Sequence, residues 1–365
     1  MYDEFKVVHI ISLVFMGAAL FISNSHTMYD EFKVVHIISL VFMGAAWFVN
    51  ILLLVLIHFR PDVHIGHLKI AFYAMALLDF VYSAVLGLST LYWLYHDESI
   101  IVFPTSFMSG YWPSAIAWFL FLFTLLLQHV CVTFLFFYRW IIICNRKFFI
   151  YIIHSQIPHT MIGVVFTVVL SGMVIFIMIA FGPTDLLRQQ SIEFYALAFP
   201  AMDFTTTYML GYDGIMNTQR IICMLMILSF FIALILMKIY CSYKTSRTVL
   251  KASFNGRAKE VNSLTFGMIS VQALTPLICH YIPITIAMIM LTCSWTWPSL
   301  SLYLLYSFLI PPVLYPIIAI FFTYEYRRTI VVWCQMLFGI GPPKTTTKGF
   351  RSSVSTVSVG IKIYF

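Results

Sequence analysis

An all-α membrane protein, a bundle of seven transmembrane helices, is the fold this sequence predicts. Hydrophobic residues make up 61% of the 365-residue chain and charged residues only 10%, more apolar surface than one water-soluble core would hide. That surface is gathered into seven runs, each long enough to cross a hydrocarbon layer that needs about 20 helical residues. Of the 21 lysines and arginines, all but Lys6, Lys33, Arg188 and Arg220 are assigned to connections on one side of those runs, the asymmetry that orients membrane helices. Helices follow because lipid pairs with no backbone N–H or C=O, and runs beyond about 11 residues are too long for barrel strands.

The chain begins with a duplication: Met1–Ala19 recurs unchanged as Met28–Ala46. Two copies are too few for a stacked repeat. Residues 1–27 are therefore read as a leader, with three origins left open. One is a duplicated coding segment or an extra start in the gene model. Another is a signal-like segment, with an apolar run at Val7–Ile22 and small residues at Ser23-Asn24-Ser25, although Asp3, Glu4 and Lys6 make a poor positive n-region. The third is an additional helix. In each case function is expected from residue 28 onward.

The spans are read as Val34–Phe59, Ile70–Leu94, Ala115–Tyr138, Met161–Phe181, Ile221–Ile239, Leu264–Leu291 and Leu300–Thr323. Arg60 and Lys69 fall in the first basic connection, Arg139, Arg146 and Lys147 in the next, and Lys238 to Lys259 in the third. The basic side is cytoplasmic by the positive-inside rule, so the start of the core is outside and the tail inside. Outer connections carry Asp97, Glu98, Asp185, Glu193, Asp203 and Asp213. The net charge of +7 thus reflects loops sorted toward an anionic inner leaflet and argues against a nucleic-acid partner. Gly182–Gln219 reads as a lid or as a solvated connector.

Residues 28–323 are read as the seven-transmembrane domain, 324–340 as an amphipathic juxtamembrane helix along the lipid surface, and 341–365 as a disordered cytoplasmic tail rich in Ser, Thr and Lys. The seven cysteines show no CxxC spacing, and no His, Cys or carboxylate set has metal-ligand spacing. No nucleophile elbow or phosphate loop is present. No cofactor, metal or enzymatic activity is expected.

Several residues stand out by chemistry. Asp79 is an intramembrane carboxylate, which must face the interior; with Asn50 on the first span it forms a candidate polar hub. Gln272, Pro276, Cys279 and Pro283 fall at spacings of four, three and four, one stripe on the sixth helix. Each proline there removes a helix hydrogen bond, so a static kink or a hinge results; Pro316 does the same in the seventh. Trp118, Gln128, His280, Tyr281 and Tyr303 are candidate ligand contacts, weighed against an interfacial aromatic belt and ordinary interior packing. Arg139, at the inner end of the third span, reads either as a switch or as a positive-inside anchor.

Five short stretches, in order, resemble the seven-transmembrane chemoreceptors of nematodes, specifically Str-type serpentine receptors and their Srd and Srj relatives. They are IGHLK (Ile65–Lys69), LLDFVYS (Leu77–Ser83), FFYRW (Phe136–Trp140), VQALTPLICHYIPI (Val271–Ile284) and YEYRRTI (Tyr324–Ile330). The resemblance runs from about Met28 to Phe338. It departs at Tyr315-Pro316, where the family carries Asp-Pro, so no role for that acid is carried over. The resemblance implies a G-protein-coupled receptor on sensory-neuron cilia. An environmental small molecule would bind outside and a heterotrimeric G protein inside, with Tyr138, Arg139, Trp140, Arg327 and Arg328 on the coupling side. Oligomerisation with a like or unlike receptor is left open. The alternative class is a seven-span ligand-gated channel or small-solute transporter. The loop asymmetry and the lack of a repeated half argue against it.

Overall fold

A computed structural model describes residues 28–59, 68–96, 99–104, 110–144, 156–195, 203–215, 217–251, 267–268, 270–292 and 300–337. The leader 1–27, the tail 341–365 and much of the basic connections fall outside the described residues.

The chain runs α1 (Met28–Phe59), α2 (Leu68–Ser89), β1 (Leu91–His96), β2 (Ser99–Pro104), α3 (Tyr111–Ile143), α4 (Gln156–Ala180), α5 (Asp185–Tyr195), β3 (Leu210–Asp213) and α6 (Thr218–Lys251). A π-turn at Leu277–Tyr281 then leads into α7 (Ile282–Thr292), followed by α8 (Leu300–Leu309), α9 (Pro311–Phe322) and α10 (Tyr324–Leu337). Five helices are long and apolar enough to cross a membrane among the described residues: Val34–Phe59, Phe72–Ser89, Tyr111–Ile143, Gly163–Ala180 and Thr218–Thr248. Ser270–Ile286 is a shorter apolar helix, and Tyr306–Phe322 joins Tyr326–Met336 across a 93° bend.

The helices follow from the composition of their runs, and their packing leaves lipid as the solvent for the outward faces. α3 is the axis, packed against α2, α4 and α6, while α9 leans on α1 and α2. On α4, Met161, Val164, Val165, Val168 and Val169 are exposed, as are Ile221, Leu225, Leu228, Ile232 and Leu236 on α6. Faces of this kind in water would drive association; in hydrocarbon they are at home.

Three departures from the expected spans have local causes. The second run was expected to stay helical to Leu94, but α2 stops at Ser89 because Thr90 takes a positive φ of 41°, a conformation that no helix continues through. The Thr90 hydroxyl meets His36 Nδ1 at 2.7 Å, which ties the break to α1. The seventh run divides at Ile310, since Pro311 and Pro312 supply no N–H to the turn before them. The sixth contains the π-turn directly after Pro276.

A three-stranded antiparallel sheet, absent from the expected all-helical outline, covers one end of the bundle. β1 and β2 form a hairpin in the register Leu91↔Pro104 to His96↔Ser99, and β3 joins it with Ser99↔Asp213 and Val102↔Leu210. Residues Ser99–Pro104 are all buried, which is why the strand reads as a continuous apolar run. The connection after α4, expected as either a lid or a solvated linker, supplies α5 and β3 to this cap.

Gly211 allows the third strand to close. A Cβ there would lie 2.5 Å from the carbonyl oxygen of Ile100, and the Gly211 N–H donates to Phe181 O at 2.8 Å. We therefore expect Gly211→Ala to lower stability by about 1–3 kcal/mol through forced separation of β2 and β3. Thermal unfolding of the purified protein checks this. Gly44→Ala, where nothing lies within 4 Å of the added carbon, should not lower the transition and, inside a helix, should raise it slightly.

Candidate functional site

Polar groups collect inside the bundle at the level where α2, α3, α6 and the π-turn meet. Asp79 is 1% exposed, and its Oδ1 accepts a 2.6 Å hydrogen bond from Gln128 Nε2 across α2 and α3. The expected hub of Asn50 with Asp79 is not a direct pair. Asn50 Nδ2 instead donates to Ala46 O at 2.8 Å and Pro312 O at 3.0 Å. The reason lies four residues on: Pro316 has no N–H, so the Pro312 carbonyl lacks its helix donor and the asparagine supplies one.

Beside Gln128, His129 turns toward α6 and the π-turn. Its ring lies 5.1 Å from that of His280, 5.0 Å from Tyr281 and 5.2 Å from Phe231. His129 and His280 are fully buried, and among the described residues neither ring nitrogen of either has a hydrogen-bond partner; the Tyr281 hydroxyl also lacks one. Lys238 completes the group, with Nζ 5.8 Å from the centroid of the Tyr281 ring. It was assigned to the third basic connection from sequence, but it lies inside α6, 7% exposed. Cys223, Lys238, Cys241 and Thr245 are all buried, and the 238–241–245 spacing marks the inward stripe that was available from the sequence.

The candidate ligand residues do not form one set. His280 and Tyr281 sit together beside His129, and Gln128 is engaged by Asp79. Trp118 lies eleven residues before His129 on α3, about 16 Å by helical rise, where it meets Phe121 edge-on at 5.8 Å in the aromatic layer beneath the sheet. The Tyr303 side chain falls outside the described residues.

On the sixth helix Gln272, Pro276, Cys279 and Pro283 are all buried, and Gln272 Nε2 donates to Tyr315 O at 3.3 Å. The π-turn lies between the two prolines, closed by the Ile282 N–H on Leu277 O. One extra residue in the turn lies just before Pro283, which leaves one carbonyl of that turn without its donor, a geometry met at bends and functional sites. Pro316 is buried inside α9.

At the end opposite the sheet, Tyr138 and Trp140 are buried in an apolar cluster shared with Tyr315, Met268 and Tyr326 of α10. Arg139 between them is half-buried. The guanidinium of Arg327 lies 5.4 Å from the Phe321 ring, and Arg328 is exposed. On α10, Ile330 and Trp333 pack on this cluster, with Trp333 against Phe59 at 6.5 Å.

A buried ion pair secures the sheet end. Arg220 binds both carboxylate oxygens of Asp213 and also reaches Ala180 O at 3.1 Å and Ile215 O at 2.6 Å. Thr184 Oγ1 donates to Asp213 Oδ2 at 2.9 Å. Burial alone would raise the Asp213 carboxyl, but the hydrogen bonds from Arg220, then Thr184 and the Ile215 N–H, hold it below the usual carboxylate range. The Tyr208 N–H donates to Ser114 Oγ at 2.8 Å, fastening the same segment to α3. Sequence reading recorded Arg220 only as an outer charge, because its partner is set by the fold of the β3 connection.

Against known families, residues 35–331 match the one described as Serpentine type 7TM GPCR chemoreceptor Str. No curated protein matches the chain.

Proposed function

We propose that this chain, which belongs to the family of Str-type serpentine seven-transmembrane chemoreceptors, passes the binding of an external small molecule to a heterotrimeric G protein. Membership makes it a multi-pass membrane receptor of chemosensory type and not an enzyme. The finer reading is ours. The sheet end faces outward, the Arg139 end faces the cytoplasm, and the protein works in the membrane of sensory cilia.

In this reading the ligand acts at the level of His280 and Tyr281, with Trp118 and Tyr303 above. The π-turn flanked by Pro276 and Pro283, with Gln272 holding Tyr315 O, lets the sixth helix bend. Pro316, whose missing N–H leaves the Pro312 carbonyl to Asn50, is the matching weak point of the seventh. Asp79 with Gln128 couples α2 to α3 between the two ends. A ligand that favours one arrangement shifts the population toward it. Tyr138, Arg139 and Trp140 then open toward the G protein, with Arg327 and Arg328 beside lipid head groups. The receptor domain is residues 28–323, followed by the surface helix to 340 and the cytoplasmic tail.

The observation that supports coupling most directly is Arg139, half-buried between two buried aromatic residues at the cytoplasmic end of α3. A simple anchor would extend its guanidinium into water. We expect Arg139→Ala to abolish ligand-evoked G-protein dissociation in transfected cells while surface expression stays normal. Arg328→Ala, at an exposed site, should reduce it far less. A ligand-evoked current that persists without G protein would instead establish the channel.

A further inference from the structure

Lys238 has no reason to be where it is unless something else joins it. The ammonium sits within the apolar stretch of α6, 7% exposed, and its described partner is the ring of Tyr281 at 5.8 Å. Among the described residues no carboxylate pairs with it, and the buried carboxylate of α2, Asp79, is engaged by Gln128. A charge held this way in hydrocarbon depth is destabilising and is retained where it serves a function.

Its neighbours are of one chemical kind. His129 and His280 present four ring nitrogens without hydrogen-bond partners among the described residues, and the Tyr281 hydroxyl is also unpartnered. Ammonium, imidazole and phenol can each donate a hydrogen bond, and a carboxylate is an acceptor with about four lone-pair positions. A neutral ligand would leave the ammonium uncompensated, and a cation would be repelled by it. The flanking surface is aromatic: Phe231 lies 4.9 Å from Tyr281, and Phe308 stacks on His280 at 5.2 Å.

We propose that His129, Lys238, His280 and Tyr281 form the binding site for the carboxylate of a compact organic acid, whose hydrocarbon part rests on Phe231 and Phe308. This rests on the receptor reading above and names its ligand class. The aromatic layer of Trp118, Phe121 and Phe308 toward the sheet, with centroids 5.8 and 5.6 Å apart in succession, restricts the acid to a short or planar carbon skeleton.

The test uses the full chain purified in lipid discs, with thermal unfolding as the binding readout. Probes are acetate through hexanoate and benzoate, each beside its methyl ester and the corresponding primary alcohol, with sodium chloride and sodium sulfate as controls. At least one acid should raise the transition temperature, and its ester and alcohol should not. Lys238→Met should weaken that acid by about thirtyfold or more, as loss of one partner of a buried charged pair does, while Lys238→Arg keeps most of the shift. Tyr281→Phe, which retains the ring and removes the hydroxyl, should weaken it to a smaller degree.

Without ligand, Lys238→Met should unfold at a higher temperature than the parent, because an uncompensated charge has been removed; a lysine kept for structure would give the reverse. The site is overturned if no acid shifts the transition, if ester or alcohol shifts it equally, if chloride or sulfate reproduces the shift, or if Lys238→Met leaves the acid's affinity unchanged. G-protein dissociation is measured separately. A thermal shift without dissociation defeats the coupling reading and leaves the site standing; dissociation evoked only by non-acids defeats the site and leaves the coupling.

Discussion

Replacing Arg220 with methionine should destabilise the sheet end of the bundle by about 3–5 kcal/mol, since it leaves the Asp213 carboxylate buried without its counter-charge. The two side chains are only 2% and 4% exposed, so water cannot take the place of the lost guanidinium. The expected result is a lower unfolding temperature and faster proteolysis between β3 and α6. The double change Arg220→Met with Asp213→Leu should regain most of the loss, because the cost of the single change is the orphaned charge and not the absent attraction. Two losses that simply add would show that the residues act independently. The pH dependence has a definite sign. A carboxyl held below its free value of about 3.9 contributes fully above that pH and loses its contribution as pH falls through the lower folded value. Acid should therefore loosen the parent's cap only below about pH 4, and the double variant should lack that step.

A second large effect is expected where Gln128 meets Asp79. Gln128→Leu removes the donor from a carboxyl that is 1% exposed, and should lower stability by about 1–3 kcal/mol. Asp79→Leu should lower it comparably by stranding the glutamine amide. The double leucine variant should be nearly as stable as the parent yet signal poorly, since α2 and α3 would keep their packing but lose their polar joint. Asp79→Asn, which preserves an acceptor for Gln128, should change stability by less than about 1 kcal/mol. Unfolding temperature of the four variants in the same lipid, with surface expression beside it, decides the matter. A double variant as unstable as both singles together would mean that the polar joint carries none of the coupling.

Much of the bundle was legible because lipid imposes a rule that composition alone satisfies: long apolar runs must be helices. The inward stripe of Gln272, Pro276, Cys279 and Pro283 was also readable, being a matter of period. What escaped depends on backbone detail or on distant partners. Leu91–Leu94 looked like more helix because a buried strand and a buried helix share an apolar composition; a single dihedral at Thr90 separates them. The division at Pro311-Pro312 is written in the sequence as two consecutive residues without an N–H. Asp79 and Asn50 are buried polar groups, but their partners lie 49 and 262 residues away, beyond any local pattern. Lys238 was assigned by loop counting, which sorts charges by sequence position and is blind to the direction a side chain takes from its helix.

The six described cysteines are all free, so no covalent strap among them holds the roof of strands over the helices. Its fasteners include the Arg220–Asp213 pair and the bond from Tyr208 to Ser114, both non-covalent. A reducing medium therefore takes nothing from these fastenings.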